Sequence, residues 1–494
     1  MRTIFILMDS LNRHFLPSYG GWVQAPNIQR LADKGIVFDK HYAGSLPCMP
    51  ARREMMTGRI NMLEAGWGAI EPYDDILPRE LRSKRNVHCH LISDHYHYWE
   101  QAAHGYHTGF TTWEFVRGQE GDQWIPQVAD PETPPFRGKN NPVARRQDWI
   151  NRSHMDLEKD EDYPTPQCFM KGIEYLEQNH QEDNWHLHLE VFDPHEPFCC
   201  PKKYRDMYDD NWDGGYSYDW PQYAALSEED DPETVEHVRK SYAGTLTMAD
   251  TWLGKFLEKM DELDMWKDTT VILTTDHGHM LGEHGYWAKN YMFDYEELAH
   301  IPLIVYSPGA KMNGKRVSGL TATIDLMPTL MELHGAELPP NVHGKSIRHL
   351  FDADGSHNDA VMYGYFGKNI NICDGKYTYT RLPGLRTGLF EFTAMPVRYF
   401  HEGGRQQLAL SECGPFLDWN YGVPVFKIPV GSRRHRDAGD ENLIYDLEQD
   451  PHQENPISDL ELEARLEEKL VEIMERFDAP DCQYSRMNLR KTSP

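Results

Sequence analysis

"TIFILMDS", residues 3–10, is an apolar run that ends on an aspartate. It predicts a buried parallel strand with a polar residue at its carboxyl end. "APNIQRLADKGIVFDKHYA" (25–43) continues with a helix stopped by Gly35 and a second strand, a βαβ opening. The theme returns later. "VRKSYAGTLTMADTWLGKFLEKMDEL" (238–263) spaces its apolar residues as a helix does and leads into "TTVILTTDHG" (269–278), a β-branched strand ending at Asp276. "IPLIVYSPG" (301–309) predicts another strand, and "IDLMPTLMELHG" (324–335) a helix closed by Gly335. Strands alternating with helices define an α/β fold with a mostly parallel central sheet flanked by helices. Ligands in such sheets bind beyond the carboxyl ends of the strands, where Asp9 and Asp276 both stand.

Residues 115–165 and 200–235 are rich in Pro, Asp, Trp and Tyr with little periodicity, and predict long loops around the mouth of a site. Near residue 360 the texture changes: "NICDGKYTYTRL" (371–382) predicts a hairpin and "LEARLEEKLVEIMERF" (462–477) an amphipathic helix. The chain therefore divides into an N-terminal α/β domain, 1–360, and a smaller C-terminal α+β subdomain, 361–494.

The chain has 494 residues, 39% of them hydrophobic, enough for a large core. Its 50 basic and 78 acidic residues leave a net charge of −28, which argues against nucleic acid or an anionic membrane as partner. An anionic substrate would need local positive charge from a metal ion or a few Lys, Arg and His. Eight cysteines show no CxxC repeat and read as reduced thiols. The amino-terminal apolar run is too short for a signal peptide, and no run approaches a membrane span, so a cytoplasmic location is expected.

"SLPCMPARREMMTGR" (45–59) carries the chemistry. A lone cysteine in a large chain is ordinarily a small hydrophobe. The neighbours of Cys48 change that reading. Cys48, Pro50 and Arg52, extended by Met56, Thr57, Gly58 and Arg59, resemble the signature of the formylglycine-dependent type I sulfatases of the alkaline phosphatase superfamily. Ala51 stands where serine is common. Three further segments follow in family order: Asp9; "VFDPHEPF" (191–198) with His195; and "TTDHGHMLGEHGYWAK" (274–289) with Asp276, His277 and Lys289. The bland alternatives are a helix cap for Asp9, a structural histidine for His195 and an ordinary turn for Asp-His-Gly. "LIYDLEQDPHQENPI" (443–457) also looks like family sequence, so the resemblance spans most of the chain.

The resemblance implies that Cys48 is oxidised to formylglycine by a formylglycine-generating enzyme. It also implies that one divalent ion sits on Asp9, residue 48, Asp276 and His277, with Ser10 or Asn12 as additional ligands. Ca²⁺ is the first expectation, with Mn²⁺, Mg²⁺ and Zn²⁺ open because one ligand is an imidazole. The aldehyde hydrate carries two hydroxyls on one carbon: one attacks sulfur, and the other, deprotonated, re-forms the aldehyde and expels sulfate. Arg52 and Lys289 would balance charge, and His195 would protonate the departing alcohol. Where family members often carry Gly-Lys-x-His, this chain reads "VHCHLISDHYHYWE" (87–100), without a lysine. His95 or His97 would fill the histidine's role. The histidines 88, 90, 95 and 97 among aromatics suit the wall of a sugar pocket, and a zinc site is the alternative. A sulfatase acting on a sulfated carbohydrate is the leading expectation. A phosphonate monoester or phosphodiester hydrolase of the same superfamily is the runner-up, and a sulfoglycan-binding pseudoenzyme the non-enzymatic alternative.

Overall fold

Alternate residues of the first strand, β1 (Arg2–Met8), point into two different cores. Ile4, Ile6 and Met8 pack on one face with Ile28 and Leu31 of helix α1 (Pro26–Lys34). Phe5 and Leu7 pack on the other with Met49 and Met55 of helix α2 (Cys48–Thr57). That is the period of two of a strand covered on both sides. Each of these buried side chains contributes on the order of 2 kcal/mol. The structure, a computed structural model, describes residues 1–139, 141–210, 212–384, 388–431 and 441–492.

Among the described residues, the main sheet has eight strands. After β1 come β2 (Ile36–Phe38), β3 (His88–Ser93), β4 (Thr112–Phe115), β5 (Trp185–Val191), β6 (Thr269–Thr274), β7 (Leu303–Tyr306) and β8 (Lys315–Val317). Their spatial order is β8-β2-β7-β6-β1-β5-β3-β4. Among the described residues of this sheet, only β7 runs against its neighbours, β6 and β2. β1 pairs in parallel with β5 and β6, and β3 with β5, so four adjacent strands open their carboxyl ends on one edge. The mostly parallel α/β architecture is the expected one.

Helices α3 (Pro164–Asn179) and α4 (Pro232–Glu262) join α1 on one face; α2 and α5 (Leu326–Leu333) lie on the other. α4 begins where the Asp231 carboxylate accepts the Thr234 N–H at 2.8 Å, with Pro232 in its first turn. α2 ends at Gly58, whose φ of 64° is left-handed. The segments expected as long loops are interrupted by helices Pro142–Ser153 and Lys202–Asp206.

Beyond β8, strands β9 (Val361–Tyr365), β10 (Ile370–Cys373), β11 (Tyr377–Arg381) and β12 (Leu443–Asp446) form an antiparallel sheet. Ser45–Leu46 adds a fifth, parallel strand to its edge. Helix α6 (Leu460–Arg476) packs Leu466, Leu470 and Met474 into a core shared with Tyr42, Ile60 and Met62. That shared core holds the loop before Cys48. Among the described residues, no helix is long and apolar enough to cross a membrane.

Candidate active site

Asp9 and Asp276 follow directly from β1 and β6 on the open edge, and both are fully buried. Ser10 ties them together: its N–H donates to Asp276 Oδ1 at 3.1 Å and its hydroxyl to Asp9 Oδ1 at 2.8 Å. Cys48 is the first residue of α2, so the helix presents its amino end to the same spot. Cys48 Sγ lies 3.2 Å from His277 Nε2 and 3.3 Å from Lys289 Nζ. His277 Nδ1 lies 2.8 Å from the Gly278 carbonyl, which can only accept. The ring proton is therefore on Nδ1, and the Nε2 lone pair faces Cys48 and the two carboxylates.

One donor atom from each of Asp9, Cys48, Asp276 and His277 lies within 4.8 Å of the other three. Two hard carboxylates and one neutral imidazole suit a divalent ion. Charge points the same way. Arg52 donates to Asp9 (2.8 Å), Asp276 (2.6 Å) and Glu190 (2.5 Å), with all four side chains buried. Glu196 lies close enough for its charge to act on Lys289. Four carboxylates thus face two fixed cations, and a dication would cancel that excess before an anion arrives. Burial alone would raise the pKa of Asp9, but Arg52, then Lys289 and His277, hold it at about 2. Burial works against the charge on Lys289, yet Cys48, Glu196, Asp9 and Asp276 raise its pKa. Burial pushes the Cys48 thiol well up, with Asp9 adding to the effect, so the unmodified side chain is a poor thiolate.

His95, just past β3, is fully buried with its Nδ1 3.7 Å from Asp9 Oδ2; neither ring nitrogen has a hydrogen-bond partner among the described residues. His97 turns elsewhere, to Glu100 at 3.0 Å and Glu120 at 3.7 Å. His88 and His90 lie back along β3 against Thr112. Among the described residues, these four histidines form no metal-ligating group. Asn12 is committed to His14 N–H and the His279 carbonyl. His195, past β5, donates from Nδ1 to the Glu196 carbonyl at 2.6 Å, with the Glu196 carboxylate 3.4 Å away. The Phe192 ring lies between it and His95, 4.2 Å and 5.2 Å from the two imidazoles. Burial pushes both histidines well below their ordinary range.

Sequence reading missed three groups. Glu190 sits within the fully buried strand β5, where a carboxylate signals an internal cation. Glu196 accepts from the Tyr223 hydroxyl and lies 3.5 Å from His279 Nδ1. His279 is buried with neither ring nitrogen hydrogen-bonded among the described residues, and burial lowers its pKa to about 4. The signal for it was already present in the Asp-His-Gly-His run.

Comparison with known proteins agrees with this edge of the sheet. The chain is 24% identical over 407 residues to an arylsulfatase of Clostridium perfringens, covering 74% of this chain and 82% of that protein. It is 24% identical over 418 residues to an N-acetylglucosamine-6-O-sulfatase of Bacteroides thetaiotaomicron, covering 71% of each. The crystal structure of a phosphonate monoester hydrolase of Agrobacterium radiobacter superposes with a TM-score of 0.67 at 17% identity, covering 96% of both chains. The sulfatase family model matches residues 2–336. Most of the chain, including every strand that feeds the buried cluster, therefore falls within one family: this protein belongs to the sulfatases, the sulfuric ester hydrolases.

Proposed function

We propose that the chain hydrolyses a sulfate ester carried on a carbohydrate, with residue 48 as formylglycine and one divalent ion held by Asp9, residue 48, Asp276 and His277. The observation that carries this reading is the convergence of those four donors with Lys289 against residue 48. Formylglycine, made by a formylglycine-generating enzyme, supplies as its hydrate one hydroxyl to attack sulfur and a second to expel sulfate. The ion, Ca²⁺ first and Mn²⁺, Mg²⁺ or Zn²⁺ as alternatives, supplies Lewis acidity and offsets the carboxylate excess.

The chain's own residues do the rest. Arg52 fixes Asp9 and Asp276 through bonds to both, while the Lys289 ammonium is placed to hold the residue-48 side chain and the sulfuryl oxygens. His195 Nδ1–H is fixed on the Glu196 carbonyl, so Nε2 is the atom that meets the leaving oxygen. The Glu196 carboxylate favours a proton there once an anionic substrate is bound. His95, with two unpaired nitrogens beside Asp9, is placed to take the proton from the remaining hydroxyl. The sugar assignment draws support from the likeness to the N-acetylglucosamine-6-O-sulfatase of Bacteroides thetaiotaomicron and from the part-exposed Tyr96 ring, 4.2 Å from His97. The eight cysteines, all unpaired, support a reducing, cytoplasmic setting.

A phosphonate monoester or phosphodiester hydrolase is the second reading, favoured by the imidazole of His277 in the ligand set and by the Agrobacterium fold match. Ratios of kcat/KM for nitrophenyl sulfate, a sulfated N-acetylglucosamine and a phenylphosphonate monoester separate the two. Preference for the sulfated sugar supports the first reading. A kcat/KM more than about tenfold higher for the phosphonate, or about 1.4 kcal/mol in transition-state binding, replaces it with the second.

A further inference from the structure

Two imidazoles and a carboxylate from three distant segments meet outside the residues assigned above. His14 stands on the segment leaving β1, Glu297 in the short helix Glu296–Ala299, and His452 in the stretch after β12. One donor atom of each lies within 4.8 Å of the other two. Glu297 is 3% exposed; its Oε2 is buried without a hydrogen bond among the described residues, with His284 Nε2 3.5 Å away. His14 Nδ1 lies 3.9 Å from Glu297 Oε1, and the His14 and His452 rings meet edge to face at 6.3 Å. His452 is exposed, but its place is not that of a free loop. The neighbouring Gln453 side chain accepts the Glu296 N–H and donates to Thr378 Oγ1, each at 2.8 Å.

A carboxylate held this far from water calls for a cation. The geometry points to a second divalent-metal site, made by His14, Glu297 and His452 and separate from the Asp9–Asp276 centre. Two imidazole nitrogens and one carboxylate oxygen, with a fourth position open to water beside exposed His452, form a ligand set of the zinc class. Ca²⁺ and Mg²⁺ prefer all-oxygen cages. His284, stacked on Tyr295 at 3.7 Å, acts as the outer partner that orients Glu297 through Oε2. Such an ion would clip the stretch after β12 to the catalytic sheet, so its binding free energy would add to the stability of the fold.

The test uses the full chain, stripped with a chelator and titrated with ZnCl₂. Wild type is expected to take up one more equivalent than His452→Ala, or to bind that equivalent at least about 100-fold more tightly. His452→Cys keeps a ligand and serves as the positive variant. Loaded with Co²⁺, it is expected to show a thiolate-to-metal charge-transfer band in the near ultraviolet, over and above wild type. Unchanged zinc stoichiometry and affinity in His452→Ala overturns the site, as does a His452→Cys protein without the new band.

Discussion

Replacing Arg52 by lysine tests the part of the site that organises the rest. The guanidinium spends three separate N–H groups on three buried carboxylates, at 2.5, 2.6 and 2.8 Å. A lysine ammonium ends on an unbranched stem, and it cannot reach Asp9, Asp276 and Glu190 from one position. At least one charge-assisted bond is lost and one buried carboxylate is left unpaired. Breaking a buried pair in this way costs about 3–5 kcal/mol, a large share of the 5–15 kcal/mol typical of whole-domain stability. Urea unfolding followed by circular dichroism, first in chelator and then with excess Ca²⁺, reads the loss. In chelator, Arg52→Lys should lose that amount. With Ca²⁺ part should return, because Asp9 and Asp276 gain a second cation while Glu190 does not. Adding Glu190→Gln should recover a further part, since it removes the carboxylate furthest from relief. A loss below about 1 kcal/mol in chelator, or a loss that Ca²⁺ leaves unchanged, would refute the reasoning.

Cys48→Ala should lower kcat/KM for the sulfate ester by more than about 10⁴-fold, a nucleophile-scale loss, with an unfolding midpoint close to wild type. His95→Ala should cost about 10²–10⁴-fold in kcat, the range of a general base, while His97→Ala, whose ring turns to Glu100 and Glu120, should stay within a few-fold; steady-state kinetics decide between them. Glu54 governs a pH effect on stability. Burial raises its pKa from 4.5 to about 7, against hydrogen bonds from Thr323 and Ser45. The folded state therefore holds a proton that the unfolded chain releases, and stability falls as pH rises from 4.5 to 7. The fall is about 3 kcal/mol for this fully buried group. Glu54→Gln, whose amide can accept from Ser45 N–H and donate to Thr323 Oγ1, should flatten that slope; an unchanged slope in denaturant unfolding from pH 4.5 to 7 would count against it.

Asp9 and Asp276 were legible because each ends an apolar run that could only be a central strand, and chemistry in a parallel sheet collects at that end. Direction was harder to read. "IPLIVYSPG" reads as a strand either way. It runs antiparallel to β6, and the path from Asp276 to Leu303 is taken up by a small hairpin (Met280–Leu281 with Trp287–Ala288) and short helical turns, with no long crossover helix among the described residues. The choice between His95 and His97 turned on two residues of register past Ser93, which periodicity does not set. Glu190 was hidden for another reason: its partner Arg52 is 138 residues away, and a lone glutamate among "WHLHLEV" declares no cation by itself. Glu196 and His279 lie within the segments 191–198 and 274–289, yet their meeting depends on how the turns after β5 and β6 fold toward each other.

Mass spectrometry of residue 48 is the most direct test of the chemistry. Trypsin releases residues 41–52 as one peptide, "HYAGSLPCMPAR". In enzyme that turns over a sulfate ester, the predicted peptide is about 18 Da lighter than its cysteine form, the aldehyde in place of the thiol. The same peptide at full cysteine mass, from fully active material, would contradict the formylglycine nucleophile and the mechanism built on it.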